Sequence, residues 1–440
     1  MVIGEPIKMI KKILKKILGK KLLLIYHLSL AKLAAFYYSH PSDKLIVIGV
    51  TGTNGKTATV NFISQFLDSL GQTNGLASTV NFKVGDKEWL NDKKMTMLGR
   101  FQTQSLLKDM IKAGCKYAVI ETSSQGIEQF RHIGINYDLV VFTNLTPEHI
   151  EAHGSFENYR MYKEKLFEHL LQSKKKNIAG QKIDKIIVSN NDDSETERLK
   201  KYKADKFITY STTNQADFKA EDIQLDDGVS FSVQGQTFKT NFIGRFNVYN
   251  VLAALVAVKE LGFKLSDLSQ AKLKGIPGRQ EWIDEGQDFK VLVDYAPEPE
   301  GLKQLYKTLD KINKNRLIHV FGSCGGGRDK ARQPIMGRMA GQKADIVIVT
   351  NEDPYDDDPM GIIDNVAAGA VEAGKIIDKS LFKVGDRAKA IAKAIGLAQK
   401  DDIVLITGKG AEQFICGPNG QMIAHDDRQV VRQAIKNSLN

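Results

Sequence analysis

Gly55, Lys56 and Thr57 stand where an apolar run gives way to a helical pattern, and these three types in this order can handle a polyphosphate. Residues 45–60 read LIVIGVTGTNGKTATV. Leu45 to Ile48 has the continuous apolar character of a buried strand, and an apolar-periodic helix is expected from Val60 to Leu70. The glycine-rich turn between them, Gly52-Thr53-Asn54-Gly55, aims backbone N–H groups and a helix N-terminus at one point, which suits a phosphate chain. Lys56 adds a point charge for β- and γ-phosphates, and the Thr57 hydroxyl is placed for Mg²⁺. The pattern GxxxxGK[ST] is missed by one position, because Val50 stands where its first glycine falls. A plain strand–turn–helix corner has glycines too, but the Gly-Lys-Thr triplet at such a junction favours phosphate binding.

Two further sets of side chains bear on the same chemistry. Glu121 ends a second apolar run, Tyr117–Glu121, where a carboxylate faces the crevice beyond a parallel sheet's C-terminal edge. Taken alone, a glutamate there is an ordinary capping or solvated residue. Asn247 and Asn250 are three apart in the first turn of an expected helix and face one way.

These residues need a scaffold, and the chain supplies alternating strands and helices from Leu45 onward, which predicts α/β architecture with mostly parallel sheets. Apolar strand candidates are Leu45–Val50, Tyr117–Glu121, Leu139–Asn144 and Ile186–Asn190, with helices near 57–70, 101–114, 157–172 and 248–262. Residues 205–242 break the rhythm with short alternating segments such as Val229–Val233 and Thr237–Phe242, expected as a small antiparallel patch. A second α/β series follows Pro277-Gly278-Arg279, with strands at Val291–Asp294, Leu317–Phe321, Ile346–Thr350 and Ile403–Thr407. At 440 residues the chain exceeds one ordinary core. The divisions expected are an N-terminal segment at 1–44, a central domain at 45–275 and a C-terminal domain at 276–440.

The net charge of +10 is concentrated in the first 44 residues, where nine lysines face only Glu5 and Asp43. Basicity there says little about the main body's ligands. Ile7 to Leu18 (IKMIKKILKKIL) alternates apolar residues and lysines at helical spacing. Residues 22–38 are apolar but contain His27 and Lys32, with no small-residue cleavage site, which argues against a secretory signal or a clean span. Residues 7–38 are expected either to lie on the inner membrane surface or to cap the main body as a helical pair. The tail holds no arginine for base or phosphate readout, so no nucleic-acid partner is expected. Cys115, Cys324 and Cys416 are far apart and odd in number, which fits a reducing cytoplasm and leaves no disulfide framework or zinc site.

Several stretches also keep one another's company in a fixed order: GTNGKT, then Glu121-Thr122-Ser123-Ser124, TNLTPEHIEAHG (143–154), GRFNVYN (244–250), IPGR (276–279) and VDYA (293–296). Together they closely resemble the Mur ligase family, and within it the muramoyl-tripeptide synthetase branch. FGSCGGGRDKARQP (321–334), GDRAKAI (385–391), GKGAE (408–412) and DDR (426–428) extend the match over roughly residues 45–440. The resemblance implies a central P-loop ATPase domain and a Rossmann-like C-terminal domain. It also implies an ATP-dependent ligase that joins an amino acid to a muramoyl-peptide carboxylate through an acyl phosphate. Such a reaction needs charge neutralisation and positioning more than covalent help.

The resemblance further implies roles. Glu121 and His149 become Mg²⁺ ligands, and Asn144 lies near the phosphates. Lys163 aligns with a lysine that the family carbamylates, so that it holds a second Mg²⁺. Asn247 and Asn250 meet adenine, Arg279 the γ-phosphate and Asp294 the ribose. Ser123, Ser124, Arg328, Asp353, Tyr355 and Glu412 fall to the acceptor and the incoming amino acid, with Glu412 meeting a distal ammonium. A monomer is expected.

Four departures limit the transfer. Only 44 residues precede the first strand, so the family's uridine-nucleotide-binding domain is expected to be missing and a lipid-linked acceptor becomes an option. Pro297 replaces the histidine of the family's DYAHTP. Tyr355 replaces the arginine of DNPR, which disfavours meso-diaminopimelate because a tyrosine offers no bidentate charge pairing. Ala411 and Gln125 replace two further histidines. The run Asp356-Asp357-Asp358 beside Glu352 and Glu412 either favours lysine or another diamine, or is a solvated loop. Competing readings are a ligase of the same type acting on a folate or polyglutamate carboxylate, and an inert membrane-tethered scaffold.

Overall fold

The computed structural model describes residues 20–146, 153–226 and 228–439. His149 and residues 7–19 of the lysine-rich segment lie outside the described residues. Helix α1 (Lys20–Tyr37) opens the described chain. It seats Ala31, Ala34 and Ala35 on the body, packed against a helix at Arg100–Lys112, and leaves Leu22, Ile25, Leu33, Phe36 and Tyr37 exposed. Among the described residues no helix is long and apolar enough to cross a membrane.

The first sheet is built on β1 (Ile46–Thr51), whose six residues are all buried. Its side chains divide by period two: Ile46, Ile48 and Val50 enter one apolar cluster, Leu45 and Val47 another on the opposite face. Burial on both faces is why this strand reads as an unbroken apolar run. In chain order the others are β2 (Asn74–Ala77), β3 (Asn81–Val84), β4 (Lys87–Leu90), β5 (Tyr117–Glu121), β6 (Leu139–Phe142), β7 (Ile186–Asn190), β8 (Lys206–Ser211) and β9 (Phe218–Lys219). They lie in the order β9-β8-β7-β6-β1-β5-β2-β3-β4. All pairings are parallel except β2–β3 and β3–β4. Val50 is level with Glu121 of β5, and Thr51 with Phe142 of β6. That register brings the turn after β1, the end of β5 and the start of the loop after β6 to one edge.

Helix α2 (Lys56–Ser69) follows the turn and packs on a helix at Phe246–Glu260. The latter is buried almost all round, from Val248 to Val258 with Tyr249 excepted, as an apolar-on-all-sides sequence requires. Phe62 and Phe242 meet edge to face at 4.9 Å beneath the turn.

One expectation is corrected, and one feature went unread. Residues 206–211 join the main sheet parallel to β7, so the antiparallel patch covers only Glu221–Gln224, Val229–Val233 and Gln236–Thr240. Conversely, β3 and β4 form an antiparallel edge joined by Gly85-Asp86, in strands of four residues that are too short to show periodicity.

The second sheet runs Glu281–Ile283, Lys290–Val293, Ile403–Ile406, Leu317–Phe321, Ile346–Thr350, Leu381–Val384 across its width, antiparallel only at the first pair. Asp294, the glycine run at 325–327, Asp353 and Glu412 all follow its C-terminal strand ends.

Candidate active site

A cavity of about 840 Å³ lies where the C-terminal edges of the two sheets face each other, with Lys56 and Glu121 on one wall and Arg279, Tyr295 and Arg328 on the other. Such edges are where open α/β sheets bind ligands.

The turn after β1 is held rigidly before any ligand arrives. Thr53 N–H donates to the Asn144 carbonyl at 2.8 Å. Asn54 N–H donates to Asn144 Oδ1 at 2.9 Å, and Asn144 Nδ2 returns to the Asn54 carbonyl at 3.1 Å. Thr143 Oγ1 donates to the same carbonyl at 2.7 Å, and buried Lys163 donates to the Gly52 carbonyl at 2.5 Å. Gly55 caps α2 at φ 83°, where a side chain is strained. A Cβ there would also run into the Asn250 carboxamide, so the turn and the Asn250 helix fit only with glycine between them. Lys56 Nζ curls back to the Thr53 carbonyl at 2.7 Å at the cavity mouth.

Thr57, Glu121 and Arg279 meet at one point. Thr57 Oγ1 donates to Glu121 Oε2 at 3.0 Å, and Arg279 Nη2 reaches Thr57 Oγ1 at 3.4 Å. Thr79 holds the same carboxylate twice, through its N–H at 2.8 Å and its hydroxyl at 3.0 Å. A carboxylate and a hydroxyl whose proton is already given away form a hard oxygen set, which fits Mg²⁺. The Arg279 guanidinium stacks on the Tyr295 ring at 4.2 Å, and its Nε is buried without a hydrogen-bond partner among the described residues. A half-buried guanidinium with a donor still unpaired beside the turn fits an anionic phosphate.

At the other end of the turn, Asn250 Nδ2 donates to Asn247 Oδ1 at 3.1 Å, and Asn247 Nδ2 to Gln280 Oε1 at 2.7 Å. Gln280 N–H donates to Asp294 at 2.8 Å. Desolvation pushes the Asp294 carboxyl up, with Arg279 partly opposing it. Asn54 Nδ2 also crosses to Glu298 Oε1 at 3.2 Å. Side chains from both sheets therefore share this end of the cavity.

The remaining sequence candidates are spread more widely. Ser123 caps the short helix Ser124–Glu128 by accepting from Gly126 N–H, and Ser124 Oγ pairs with His153 Nε2 at 3.1 Å. Both serines line the cavity with Arg328. Lys163 does not line it, being turned to the Gly52 carbonyl and the Tyr159 ring. Tyr355 adopts φ 54°, and its ring covers Gly326 so closely that a Cβ on that glycine would enter it. The acidic run is committed to backbone: Asp356 accepts from Asn419 N–H, Asp357 from Gly326 N–H, and Asp358 caps the helix Pro359–Glu372. Asp353 and Glu412 are both paired with Lys94 and Lys409.

Sequence reasoning did not reach Thr79, Lys94, Gln280 or the role of Lys409. Thr79, Lys94 and Gln280 belong to no quoted motif, and Lys409, although inside GKGAE, takes part of its role from Asp353, 56 residues away.

The Mur ligase middle domain matches residues 50–258, and the Mur ligase glutamate ligase domain matches residues 278–410. A UDP-N-acetylmuramyl-tripeptide synthetase of Roseiflexus sp. (strain RS-1) is 40% identical over 399 residues, covering 88% of this chain and 78% of that protein. A UDP-N-acetylmuramoyl-L-alanyl-D-glutamate–2,6-diaminopimelate ligase of Geobacillus kaustophilus (strain HTA426) is 37% identical over 418 residues, covering 93% and 82%. Among solved structures, a 2,6-diaminopimelate ligase of the same description is 33% identical, with a TM-score of 0.59 over 90% of this chain and 79% of that one. With this extent of matching sequence and a cavity built by both matched regions, the chain belongs to the Mur ligase family and is an ATP-dependent peptide ligase.

Proposed function

We propose that this ligase joins a free amino acid to the carboxylate of a muramoyl-peptide cell-wall precursor in the cytoplasm, acting as a monomer with domains at 45–275 and 276–440. The observation that carries this reading is the convergence of Thr57, Glu121 and Arg279 from two sheets on one point of a shared cavity. ATP there gives its γ-phosphoryl group to the acceptor carboxylate and leaves as ADP, and the amine then attacks the acyl phosphate carbonyl and expels phosphate. Gly52, Thr53, Asn54 and Gly55 present backbone N–H groups, and Lys56 leaves the Thr53 carbonyl to meet the phosphate charge. Thr57 and Glu121 would hold one Mg²⁺, which would offset the phosphate charge, with His149 and a carbamylated Lys163 as the proposed ligands of a second. Asn247, Asn250 and Asp294 orient the nucleoside. Ser123, Ser124 and Arg328 face the acceptor and the amine. Because both sheets grip the nucleotide, closure both completes the site and keeps water from the activated carboxylate.

Phosphate release from ATP tests the reading, with UDP-linked and lipid-linked muramoyl-dipeptides offered against L-lysine and meso-diaminopimelate. Release that requires one acceptor and one amino acid is the expected result. Binding of ATP without release on any acceptor would overturn the muramoyl reading in favour of another carboxylate.

Peripheral membrane contact belongs to the same proposal. The outward face of α1 carries Leu22, Ile25, Tyr26, Leu33, Phe36 and Tyr37, and the first 44 residues hold nine lysines. An apolar face flanked by cations suits an anionic lipid surface, with each lysine worth about 1 kcal/mol near it. The protein is expected to sediment with vesicles containing phosphatidylglycerol and not with phosphatidylcholine alone. Leu33→Asp and Phe36→Asp should weaken that binding, and equal partition to both vesicles would sink the contact.

A further inference from the structure

Lys94 lies on the loop after β4 and reaches across the cavity to the second sheet. Its ammonium has three hydrogens, and three acceptors meet it: Glu412 Oε2 at 2.6 Å, Asp353 Oδ2 at 2.7 Å and the Phe414 carbonyl at 3.0 Å. Three is the full donor complement of a primary ammonium. Lys409, fully buried, bridges the same carboxylates at 2.9 Å to Asp353 and 2.7 Å to Glu412. Cys416 N–H adds a further bond to Asp353 Oδ1 at 2.7 Å. Two carboxylates thus balance two ammonium groups. Burial alone would lower the Lys94 pKa, but Glu412 and Asp353 raise it above its ordinary value, so the side chain stays charged. Lys409 sits on the same loop as Glu412 and is enclosed. Lys94 comes from the opposite sheet, and it lines the cavity together with its neighbours Met95 and Thr96.

We propose that Lys94 is a tethered stand-in for the side chain of the incoming amino acid, and that it sets amine selectivity by exchange. The proposal rests on the ligase reading for the identity of that amine. An amino acid ending in a primary ammonium can replace Lys94 with no change in the charge of the socket. A neutral terminus would leave two enclosed carboxylates facing one ammonium, at the cost of an unpaired buried charge. A terminal carboxylate would add a third negative group. A guanidinium presents a planar fork in place of three diverging donors. Withdrawal of Lys94 also releases one of the contacts that tie the two sheets together, so amine entry and relaxation of the cavity are one event.

A tethered competitor acts at an effective concentration on the order of millimolar. Removing it should therefore tighten binding of the free amine. The experiment is titration calorimetry of L-lysine and of L-norleucine, which lacks the ammonium, with Mg²⁺–ADP present so that no turnover occurs. Lys94→Met is expected to bind L-lysine about tenfold or more tightly than the unaltered protein, with L-norleucine unimproved. Adding Glu412→Gln to Lys94→Met should abolish the gain. If Lys94→Met does not fold, Lys94→Gln is read in the same way. L-lysine binding that is unchanged or weaker in the variant overturns the proposal, as does an equal gain for L-norleucine. The two readings fail separately. A lysine gain with no phosphate release on any muramoyl acceptor keeps the socket and removes the acceptor assignment. Lysine-dependent turnover with no gain removes only the role of Lys94.

Discussion

Replacing Lys56 by methionine is expected to lower kcat by about a thousandfold while leaving the protein folded. The barrier to phosphoryl transfer is lowered almost entirely by positioning and by charge placed where charge develops. Removing one such group from a water-poor site costs on the order of 10²–10³ in rate, or about 3–4 kcal/mol. Lys56 is the cation of the turn, and the other members supply backbone N–H groups whose positions the Asn144 and Thr143 bonds already fix. The loss should therefore fall on chemistry more than on loop geometry. Folding should be little affected, because among the described residues Lys56 bonds only the Thr53 carbonyl at the cavity mouth. Methionine retains the stem, and water can satisfy that carbonyl, so the stability change should stay within about 0.5 kcal/mol. ATP affinity should weaken less than kcat falls, since the interaction strengthens as the phosphoryl group transfers. Single-turnover phosphate release and thermal melting, measured on one preparation, check both parts. A variant that keeps a tenth of the original rate would remove Lys56 from the reacting group.

What made Lys56 legible in the sequence is that its function is local: strand, turn and helix are consecutive, and their residues carry the signal together. Glu121 was placed by its pattern at the end of an apolar strand, but only the family resemblance gave it a role. Its two bonds from Thr79 were not legible, because Thr79 sits 42 residues away in a turn that carries no motif. Lys94 shows the limit most clearly. Its neighbours Asp92 and Lys93 make a polar loop that reads as solvated, and the partners that define it lie 259 and 318 residues on. The acidic run at 356–358 was read either as a preference for a diamine or as a solvated loop. Asp356 and Asp358 are exposed, and each of the three aspartates accepts a backbone N–H where the chain turns, which agrees with the loop. Tertiary pairing and backbone capping leave no periodic trace, so composition alone could not separate these uses.

The stretches GDRAKAI and DDR were legible as family marks without a stated role, and the structure gives them one that predicts the largest effect on stability. Arg387 and Asp427 form a fully buried, two-pronged pair, with Nε to Oδ1 at 2.7 Å and Nη2 to Oδ2 at 2.6 Å. Two further guanidinium donors go to the carbonyls of Asn351 at 3.2 Å and Thr407 at 2.8 Å. Those carbonyls begin the two loops that carry Asp353 and Lys409, so one buried arginine ties the amine socket to its sheet. Asp427→Asn is expected to destabilise the C-terminal region by about 3–5 kcal/mol, because it leaves the Arg387 charge enclosed without a counter-ion. For a region of this size that corresponds to a fall in Tm on the order of 10 °C. Coupling decides whether the pair or the packing is responsible. Arg387→Met combined with Asp427→Leu removes both charges and should recover much of the loss, since replacing both partners with apolar groups of similar volume is far cheaper than stranding one. Thermal melts of the two single variants and the double variant measure this directly. Strict additivity of the two single losses would show that the charges do not act on each other, and the socket's rigidity would then have to come from the strand ends alone.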